Sequence, residues 1–323
     1  MKIFKTLIVG GAGYAGGHLV DLLQSDNKYD VTVYDNLLYE QSFYKKVEFI
    51  RGDVRDVTLV LPNLNEYDVV IWLAAIVGDG ACEVNPKITN EVNKDAFFKL
   101  VDCYGGKIIY TSTCSVYGAG EEFFSEESEP NPLSLYAKTK LESERYLSDK
   151  HVDYLVFRLG TLYGVGDEFS RVRLDLAVNA LTYRACTDKP LRVFSGEQWR
   201  PMTHVKDAAK AIKFGIDRDM NGLYNLVAEN CQIKDIAEEV KKLIPSTKII
   251  FEDTPFEDLR NYKATKGKYP KNGFRFDYSL SDGILDIKKI FDSGRLKDPE
   301  NPVYYNVDYL KYLYEQGKFL DER

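Results

Sequence analysis

The sequence predicts an α/β fold, a doubly wound parallel sheet followed by a smaller mixed α/β lobe. Three observations predict it. Short apolar runs alternate with amphipathic stretches through the first half of the chain, which is typical of strands and helices in a parallel sheet. A glycine-rich turn follows the first apolar run, at residues 10–16. Past about residue 165 the alternation weakens, so a less regular lobe is expected there.

The predicted elements of the first half alternate in order along the chain. Strands are expected at residues 6–9, 31–34, 47–50, 69–73, 107–111 and 154–158, and helices at residues 13–24, 85–104 and 135–147. The run at 69–73 is apolar throughout, as a strand covered on both faces must be. The helix at 85–104 has Pro86 near its start and two glycines after its end, where these residues are favoured.

The second half is predicted to be less regular. Helices are expected at residues 171–186, 205–216, 233–243 and 307–319, and strands at residues 191–194, 223–227 and 248–251. Residues 258–278 are polar and turn-rich, and we expect packing or ligand contacts to order them. We therefore divide the chain into a regular first domain, residues 1–165 plus about 205–228, and a less regular second lobe, residues 166–204 and 229–323.

Composition and charge argue against several classes of protein. Of 323 residues, 44% are hydrophobic and 29% are charged, which is typical of a globular protein and not of a disordered one. The net charge of −7 and the scattered Lys and Arg residues argue against nucleic acid or an anionic membrane as a partner. No apolar run approaches the roughly 20 residues that span a bilayer. Five cysteines without a CxxC motif argue against a disulfide framework and a metal site, so we expect a cytoplasmic protein without a bound metal.

The glycine-rich turn predicts a dinucleotide site. It satisfies GxGxxG from Gly11 and GxxGxxG from Gly10, and it lies between the first strand and the first helix, where phosphates bind at a helix N-terminus. Asp35 lies 19 residues beyond Gly16, at the end of the second strand, where a carboxylate accepts ribose hydroxyls and repels a 2′-phosphate. This pattern favours NAD over NADP. The alternative is a turn used only for packing, with Asp35 solvated.

Tyr136 and Lys140 form the candidate acid–base pair. They lie four residues apart, on one face of a predicted helix. A nearby ammonium favours the phenolate form of a tyrosine, which could then remove a proton from a sugar hydroxyl. The hydroxyl-rich segment 111–118 follows the fifth strand, at the edge of the sheet where ligands bind. The alternative is an ordinary amphipathic helix.

Together these motifs resemble the extended short-chain dehydrogenase/reductase family, in its NAD-dependent nucleotide-sugar epimerase/dehydratase branch, over roughly residues 5–230. The resemblance rests on the glycine loop, Asp35, Gly52-Asp53, Leu73-Ala74-Ala75, STCSVYG, YAKTK, RLGTLYG and RPMTHVKDAA. It implies a Rossmann-type NAD-binding domain and a nucleotide-sugar-binding lobe. The cofactor contacts that it implies are Gly10, Gly13, Tyr14, Ala15, Gly16, Asp35, Asn36, Asp53, Val54, Leu73, Ala74, Ala75, Thr111, Tyr136 and Lys140.

The resemblance also implies roles in catalysis and substrate binding. Tyr136 falls on the position of the base, Lys140 on its partner, and Thr113 on the catalytic Ser/Thr position that holds the reacting oxygen. Arg200 falls where the family often clamps the substrate pyrophosphate. The other substrate candidates are Thr113, Thr161, Asn179 and Arg260, and Arg171 and Arg173 are read either as substrate contacts or as a solvated helix face.

Several positions depart from the family pattern. Trp72 stands where His usually precedes Leu-Ala-Ala, and Gly160-Thr161 replaces Phe-Asn, whose Asn helps to hold the substrate phosphate. Cys114 and Ser115 replace the Asp-Glu pair with which the 4,6-dehydratases eliminate water, so dehydration is disfavoured.

We therefore expect an NAD-dependent 4-dehydrogenase or 4-ketoreductase acting on a nucleotide-linked sugar, with a GDP-hexose or GDP-heptose of surface-polysaccharide synthesis as a narrower possibility. The alternatives are a 4-epimerase with the same Thr, Tyr and Lys residues, and a non-catalytic NAD-binding sensor or scaffold.

A homodimer is also expected. In similar enzymes the helices that match residues 85–104 and 135–147 meet their symmetry mates in a four-helix interface. Both helices carry an apolar edge, made by Phe97, Phe98, Leu100 and Val101 on the first and by Leu141, Tyr146 and Leu147 on the second. The alternative is that these residues only cover the sheet of their own subunit.

Overall fold

A computed structural model of the protein describes residues 3–40, 42–56, 61–150, 153–194, 196–252 and 261–319. The strands are β1 Phe4–Val9, β2 Tyr29–Asp35, β3 Glu48–Arg51, β4 Val69–Trp72, β5 Lys107–Thr113, β6 Phe123–Phe124, β7 Tyr154–Leu159, β8 Thr161–Tyr163, β9 Leu191–Phe194, β10 Trp199–His204, β11 Gly222–Leu226, β12 Glu229–Gln232, β13 Ile249–Glu252 and β14 Lys263–Ala264. The helices are α1 Gly16–Gln24, α2 Asp79–Cys82, α3 Pro86–Asn90, α4 Ala96–Cys103, α5 Leu135–Asp149, α6 Ala177–Cys186, α7 Val205–Asp217, α8 Ile233–Leu243, α9 Leu280–Asp292 and α10 Asn306–Glu315.

Seven strands form one parallel sheet, in the order β11-β7-β5-β4-β1-β2-β3. The chain moves outward from β1 in one direction and then returns to start the other half at β4. The loops that follow β1 and β4 therefore diverge, and they leave a crevice at the carboxyl ends of the strands. The predicted doubly wound parallel α/β fold is confirmed.

The sheet separates two apolar layers. Successive side chains of β1 point to opposite faces, so Leu7 and Val9 join one buried cluster and Ile8 joins the other. The first layer includes residues of α4 and α10, and the second includes residues of α1 and α7. A third cluster lies outside the sheet, where α6, α8 and α9 pack together around β8, β9 and β10.

The division into two domains stays a prediction. The third cluster draws its residues from Tyr163 to Leu296, as expected for a second lobe. The chain then returns to the sheet, because Leu310, Leu313 and Phe319 belong to the first apolar layer. Among the described residues, no helix is long and apolar enough to cross a membrane.

Several predicted elements differ in extent. The helix expected at 85–104 is interrupted by a wider π turn, Glu91–Asp95, between α3 and α4. The helix expected from residue 171 begins only at Ala177, because the backbone N–H groups of Arg171 and Leu174 bond to Glu40 and Tyr304 instead. The sequence reading missed α9 and the short strands β6, β8, β10, β12 and β14. Part of the turn-rich stretch 258–278 lies outside the described residues.

Most residues of the apolar edges proposed for a dimer interface are internal, which favours the alternative for these residues, while the homodimer itself stays a prediction. Five of the seven residues are buried in the chain's own core: Phe97, Leu100, Val101, Leu141 and Leu147. Phe98 and Tyr146 are the two that stay partly exposed, and their rings stack with centroids 3.8 Å apart. The helix faces therefore cover the sheet of their own subunit.

Candidate active site

A cleft opens at the carboxyl ends of β1, β2, β4 and β5, at the point where the strand order reverses. Its lining includes every residue predicted to contact the cofactor except Asp53. Both carboxylate oxygens of Asp53 accept hydrogen bonds from the Arg55 guanidinium, at 3.1 and 3.0 Å. The Asp53 side chain therefore stabilises the loop after β3. The remaining predicted residues lie on one continuous surface from Gly10 to Lys140.

The glycine loop leaves room for phosphate where a larger residue would not. Gly10 has φ +84°, and a Cβ there would lie 2.5 Å from the backbone nitrogen of Ala74. A Cβ at Gly16 would lie 2.7 Å from the carbonyl oxygen of Gly10. These two glycines let the loop fold tightly between β4 and α1, whereas a Cβ at Gly13 would make only an ordinary contact, 3.5 Å from the carbonyl oxygen of Gly10. A tight loop at a helix N-terminus fits the diphosphate of a dinucleotide.

Asp35 ends β2 beside this loop. One of its carboxylate oxygens accepts the N–H of Ala12 at 3.0 Å, and the other accepts the N–H of Leu37 at 2.8 Å. Burial raises the pKa of the Asp35 carboxyl, and the backbone N–H groups of Leu37, Ala12 and Asn36 oppose that shift. Each oxygen keeps a second lone pair, so the carboxylate is held rigidly and can still accept the two hydroxyls of a ribose.

Tyr136 and Lys140 approach the other end of the cleft from α5. The helix begins at Leu135, where the Ser134 hydroxyl accepts the N–H of Ala137 and caps it. The Lys140 ammonium donates to the backbone oxygen of Thr111 at 2.8 Å and lies 5.9 Å from the centre of the Tyr136 ring. Burial lowers the pKa of Lys140 to about 8.

The Tyr136 phenol is held neutral by its surroundings. Burial raises its pKa above the usual value, as do the nearby Cys82 and Asp79, and the Arg173 guanidinium opposes the shift. The sequence reading expected Lys140 to favour the phenolate. The structure adds a stronger effect of burial in the opposite direction, so Tyr136 becomes a base only beside further positive charge.

Thr113 ends β5, directly after Thr111 and Ser112, which line the cleft; Thr113 is not itself among the lining residues, so its contact with the substrate stays a prediction. Its hydroxyl oxygen accepts the N–H of Ser115 at 3.1 Å, which leaves its proton free to be donated to a substrate oxygen. Burial raises the pKa of the neighbouring Cys114 thiol, which contacts the backbone oxygen of Arg158. Neither Cys114 nor Ser115 offers an ionised acid for eliminating water.

The other predicted substrate residues are not gathered in the cleft. The Asn179 amide is fully buried, and its three hydrogen bonds go to backbone atoms of Gly164 and Arg173. It therefore fixes the segment after β8 and has no free group for a phosphate. Thr161 pairs with Met202 between β8 and β10, and Arg200 donates to the backbone oxygen of Trp199 at 2.8 Å. Arg260 lies outside the described residues.

Trp72, at the position where the family usually has His, does not line the cofactor cleft. Its side chain is 0% exposed and packs against Phe97, with ring centroids 5.3 Å apart. Strand residues alternate in direction, so Trp72 points into the first apolar layer while the segment 73–75 lines the cleft.

Other lining residues came from segments that the sequence reading did not connect with the cofactor. Tyr39, Glu40 and Asn306 line the cleft, as do Arg171 and Arg173, which the sequence offered only as substrate candidates. Nothing local in the sequence signals these contacts.

Asn93, in the π turn, also escaped the sequence reading. Its amide accepts the N–H of Ile76 at 2.7 Å and donates to the oxygen of the same residue at 2.9 Å, which fixes the loop after β4. A polar residue on the buried face of a predicted helix was the one available signal.

Comparison with known proteins places this site in context. The model of the NAD dependent epimerase/dehydratase family matches residues 6–226. A putative UDP-glucose 4-epimerase of Methanocaldococcus jannaschii is 30% identical over 303 residues, 87% of this chain and 96% of that protein. UDP-glucuronic acid decarboxylase 3 of Arabidopsis thaliana is 28% identical over 324 residues, 92% of this chain and 91% of that protein. The crystal structure of UDP-glucuronic acid 4-epimerase from Bacillus cereus, in complex with UDP-glucuronic acid and NAD, has a TM-score of 0.76 and 26% identity, and the match covers 90% of this chain and 99% of that one.

Proposed function

The chain belongs to the NAD-dependent epimerase/dehydratase family, and from that membership we propose that it oxidises a nucleotide-linked sugar at the C4 hydroxyl. It is an NAD-dependent enzyme of the extended short-chain dehydrogenase/reductase type, as its motifs indicated. The observation that carries the proposal is the position of Tyr136. It lies in the same cleft as the glycine loop and Asp35, with the Lys140 ammonium beside it.

The side chains of the cleft divide the work of this reaction. Tyr136 takes the proton of the C4 hydroxyl, and Thr113 donates a hydrogen bond to the same oxygen. Lys140 is largely protonated at pH 7, because its pKa is about 8, and its charge favours the phenolate. When bound, NAD supplies the hydride acceptor and a positive ring near the phenol. Because burial raises the pKa of Tyr136, the positive charges of Lys140 and of the bound cofactor must offset that shift before the phenol can accept the proton.

The net reaction that we propose is 4-epimerisation, in which the hydride returns to the other face of the same sugar. Two features support it. Two of the similar proteins named above carry the name of a UDP-sugar 4-epimerase: the Methanocaldococcus jannaschii protein and the Bacillus cereus enzyme of known structure. Residues from the C-terminal part of the chain, Arg171 and Asn306, also line the cofactor cleft, and contacts from both parts of the chain suit a cofactor kept through the cycle.

A second candidate is net oxidation or reduction at C4, with a GDP-hexose or GDP-heptose of surface-polysaccharide synthesis among the possible substrates. The observation that favours it is the Gly160-Thr161 sequence, which lacks an amide for the substrate phosphate. The structure also offers a packing reason for that change, since a Cβ at Gly160 would lie 2.9 Å from the Thr203 hydroxyl oxygen. We therefore rank this candidate second.

Location and assembly are further proposals. We propose a cytoplasmic protein, on the strength of its acidic composition and unpaired cysteines. We also propose a homodimer, with the stacked Phe98 and Tyr146 at the edge of the contact between subunits.

A turnover experiment tests the reaction and separates the candidates. The enzyme is incubated with UDP-, GDP- and dTDP-sugars while the absorbance of reduced nicotinamide is followed, and the sugar is then examined by NMR. An inverted C4 centre without accumulating NADH supports the epimerase. Stoichiometric NADH with a 4-keto sugar supports the second candidate. Turnover that survives in Tyr136→Phe would contradict the proposed chemistry in both cases.

A further inference from the structure

Two arginines line the cofactor cleft from the side of the C-terminal lobe. Arg171 and Arg173 lie in the segment between β8 and α6. Arg173 is 8% exposed, and its guanidinium carbon lies 5.8 Å from the ring centre of Tyr14, a residue of the glycine loop. The Arg171 guanidinium lies over the ring of Tyr39, 3.8 Å from its centre.

The charges of this pair are only partly balanced. The Asp175 carboxylate accepts two hydrogen bonds from the Arg173 guanidinium, at 2.7 and 2.9 Å. The Arg171 guanidinium instead donates to two neutral oxygens, the backbone oxygen of Val303 and the side-chain oxygen of Asn306. Burial and the charge of Arg173 lower the pKa of Arg171 to about 10. A cation withdrawn from water among neutral partners is costly, and a bound anion would relieve that cost.

Glu40 does not supply the missing negative charge. Its carboxylate accepts the backbone N–H of Arg171 at 2.9 Å, and burial raises its pKa to about 7. A carboxyl with a raised pKa balances the guanidinium charges less fully than an ordinary carboxylate does. The pair thus keeps an excess of positive charge inside the cleft.

The position of the pair along the cleft identifies the anion. Asp35 marks the end that takes the adenosine ribose, and Tyr136 with Lys140 marks the end that takes the nicotinamide ribose. The diphosphate of NAD must lie between these ends. The Arg173 guanidinium lies over the ring of Tyr14, in the glycine loop that leads to the start of α1, and this contact puts it beside the diphosphate position.

We infer that Arg171 and Arg173 bind the diphosphate of NAD from the side opposite the glycine loop. The N–H groups at the start of α1 hold one side of the diphosphate, and the two guanidinium groups hold the other. This site rests on NAD binding and not on the identity of the sugar or the net reaction. It therefore stands or falls separately from the proposed function.

The C-terminal helix positions the pair. Asn306 is the first residue of α10. Its side-chain oxygen accepts a hydrogen bond from the Arg171 guanidinium, and its backbone N–H donates one to the Asp175 carboxylate at 3.1 Å. Its side-chain nitrogen also donates to the oxygen of Val77, at 2.7 Å, in the loop after β4. One residue thus ties both arginines to the wall of the cleft.

Equilibrium binding to nucleotide-free protein tests this assignment. Calorimetry is run with NAD, ADP and adenosine on the unmodified protein, Arg171→Met and Arg173→Met, and UDP and GDP are titrated into the same proteins as substrate-side probes. Each variant should bind NAD and ADP at least about tenfold more weakly, because a charge-assisted contact to phosphate is lost, and adenosine with less than about a twofold change. Arg192→Met, a change of an exposed arginine paired with Glu252 on β13, is the matched control and should bind all three normally.

Two results would overturn the assignment. Equal weakening of adenosine would mean that the arginines only shape the adenosine pocket. Unchanged ADP binding with weakened UDP or GDP binding would assign the pair to the substrate diphosphate. If Arg173→Met does not fold, Arg173→Gln combined with Asp175→Asn removes the paired charges together. Arg171→Lys, which keeps the charge but loses the planar donor group, should lie between the unmodified protein and Arg171→Met.

Discussion

Asp35 is the residue whose replacement tests the cofactor preference most directly. Its two carboxylate oxygens accept the N–H groups of Ala12 and Leu37, at 3.0 and 2.8 Å. Asp35→Asn keeps the size of the side chain and one of the two acceptors. The amide NH₂ then faces an N–H donor, either that of Ala12 or that of Leu37, and the negative charge beside the ribose is lost.

The structure sets the size of the expected effects. A buried N–H left without an acceptor costs about 1–3 kcal/mol, so the nucleotide-free variant should lose about that much free energy of unfolding. A hydrogen bond to a charged group contributes about 1.5–3 kcal/mol, and Asn replaces one such bond to the ribose with a neutral one at best. NAD affinity should therefore fall by roughly 10- to 100-fold. NADP affinity should fall less, because the repulsion of its 2′-phosphate is removed.

Calorimetric titration of both cofactors, with chemical denaturation of the nucleotide-free protein, measures these effects. Asp30→Asn, at the exposed opposite end of β2, is the control and should leave the ratio of NAD to NADP affinity unchanged. The reasoning fails if the unmodified protein binds NADP as tightly as NAD. It also fails if Asp35→Asn leaves that ratio unchanged.

Three further changes test other parts of the site and the fold. Tyr136→Phe should slow hydride transfer in a single turnover by about 100-fold or more, while Tyr146→Phe on the same helix should not, and equal rates would remove Tyr136 as the base. Burial lowers the pKa of His204 to about 4, so the folded protein keeps this imidazole neutral at pH values where the unfolded chain already protonates it. The free energy of unfolding should therefore fall by up to about 3 kcal/mol as the pH drops from about 6.5 towards 4. Denaturation of His204→Gln over the same range should show a weaker dependence on pH. Gly10→Ala places a Cβ 2.5 Å from the backbone of the loop after β4 and should lower both Tm and NAD affinity. Gly222 has a similar positive φ but nothing within 4 Å of the position of a Cβ, so Gly222→Ala measures the backbone strain alone. Equal losses of Tm in the two variants would argue against the close contact at Gly10.

Much of the NAD-binding half was readable from local patterns. Strand and helix periods, the spacing of the glycines and the distance from Gly16 to Asp35 are properties of short segments, so they predicted the parallel sheet and its loops. Tyr136 and Lys140 were readable for the same reason, since four residues bring two side chains to one face of a helix. These features depend on hydrogen bonds and sterics within a few turns of chain.

Tertiary packing alone decided which side chains reach the cleft and which are buried or hydrogen-bonded elsewhere in the fold. Asn179 was read as a phosphate ligand, but it points inward and holds backbone atoms of Gly164 and Arg173. Trp72 lies next to cofactor-lining residues in sequence, yet the alternation of the strand buries it on the far side. A side chain's direction follows from what its element packs against, and one sequence does not state that.

The positive side of the cleft shows the same limit at long range. Asn306 contacts Val77 across 229 residues of sequence, and through Arg171 it brings the C-terminal helix to the cofactor cleft. No local period links such segments, because their contact arises only when the sheet has formed and the chain has returned over it. The sequence by itself therefore determined the fold class, the glycine loop, Asp35 and the Tyr136–Lys140 pair. The tertiary structure decided how the cleft is closed, because closure depends on packing between segments that are remote in the chain.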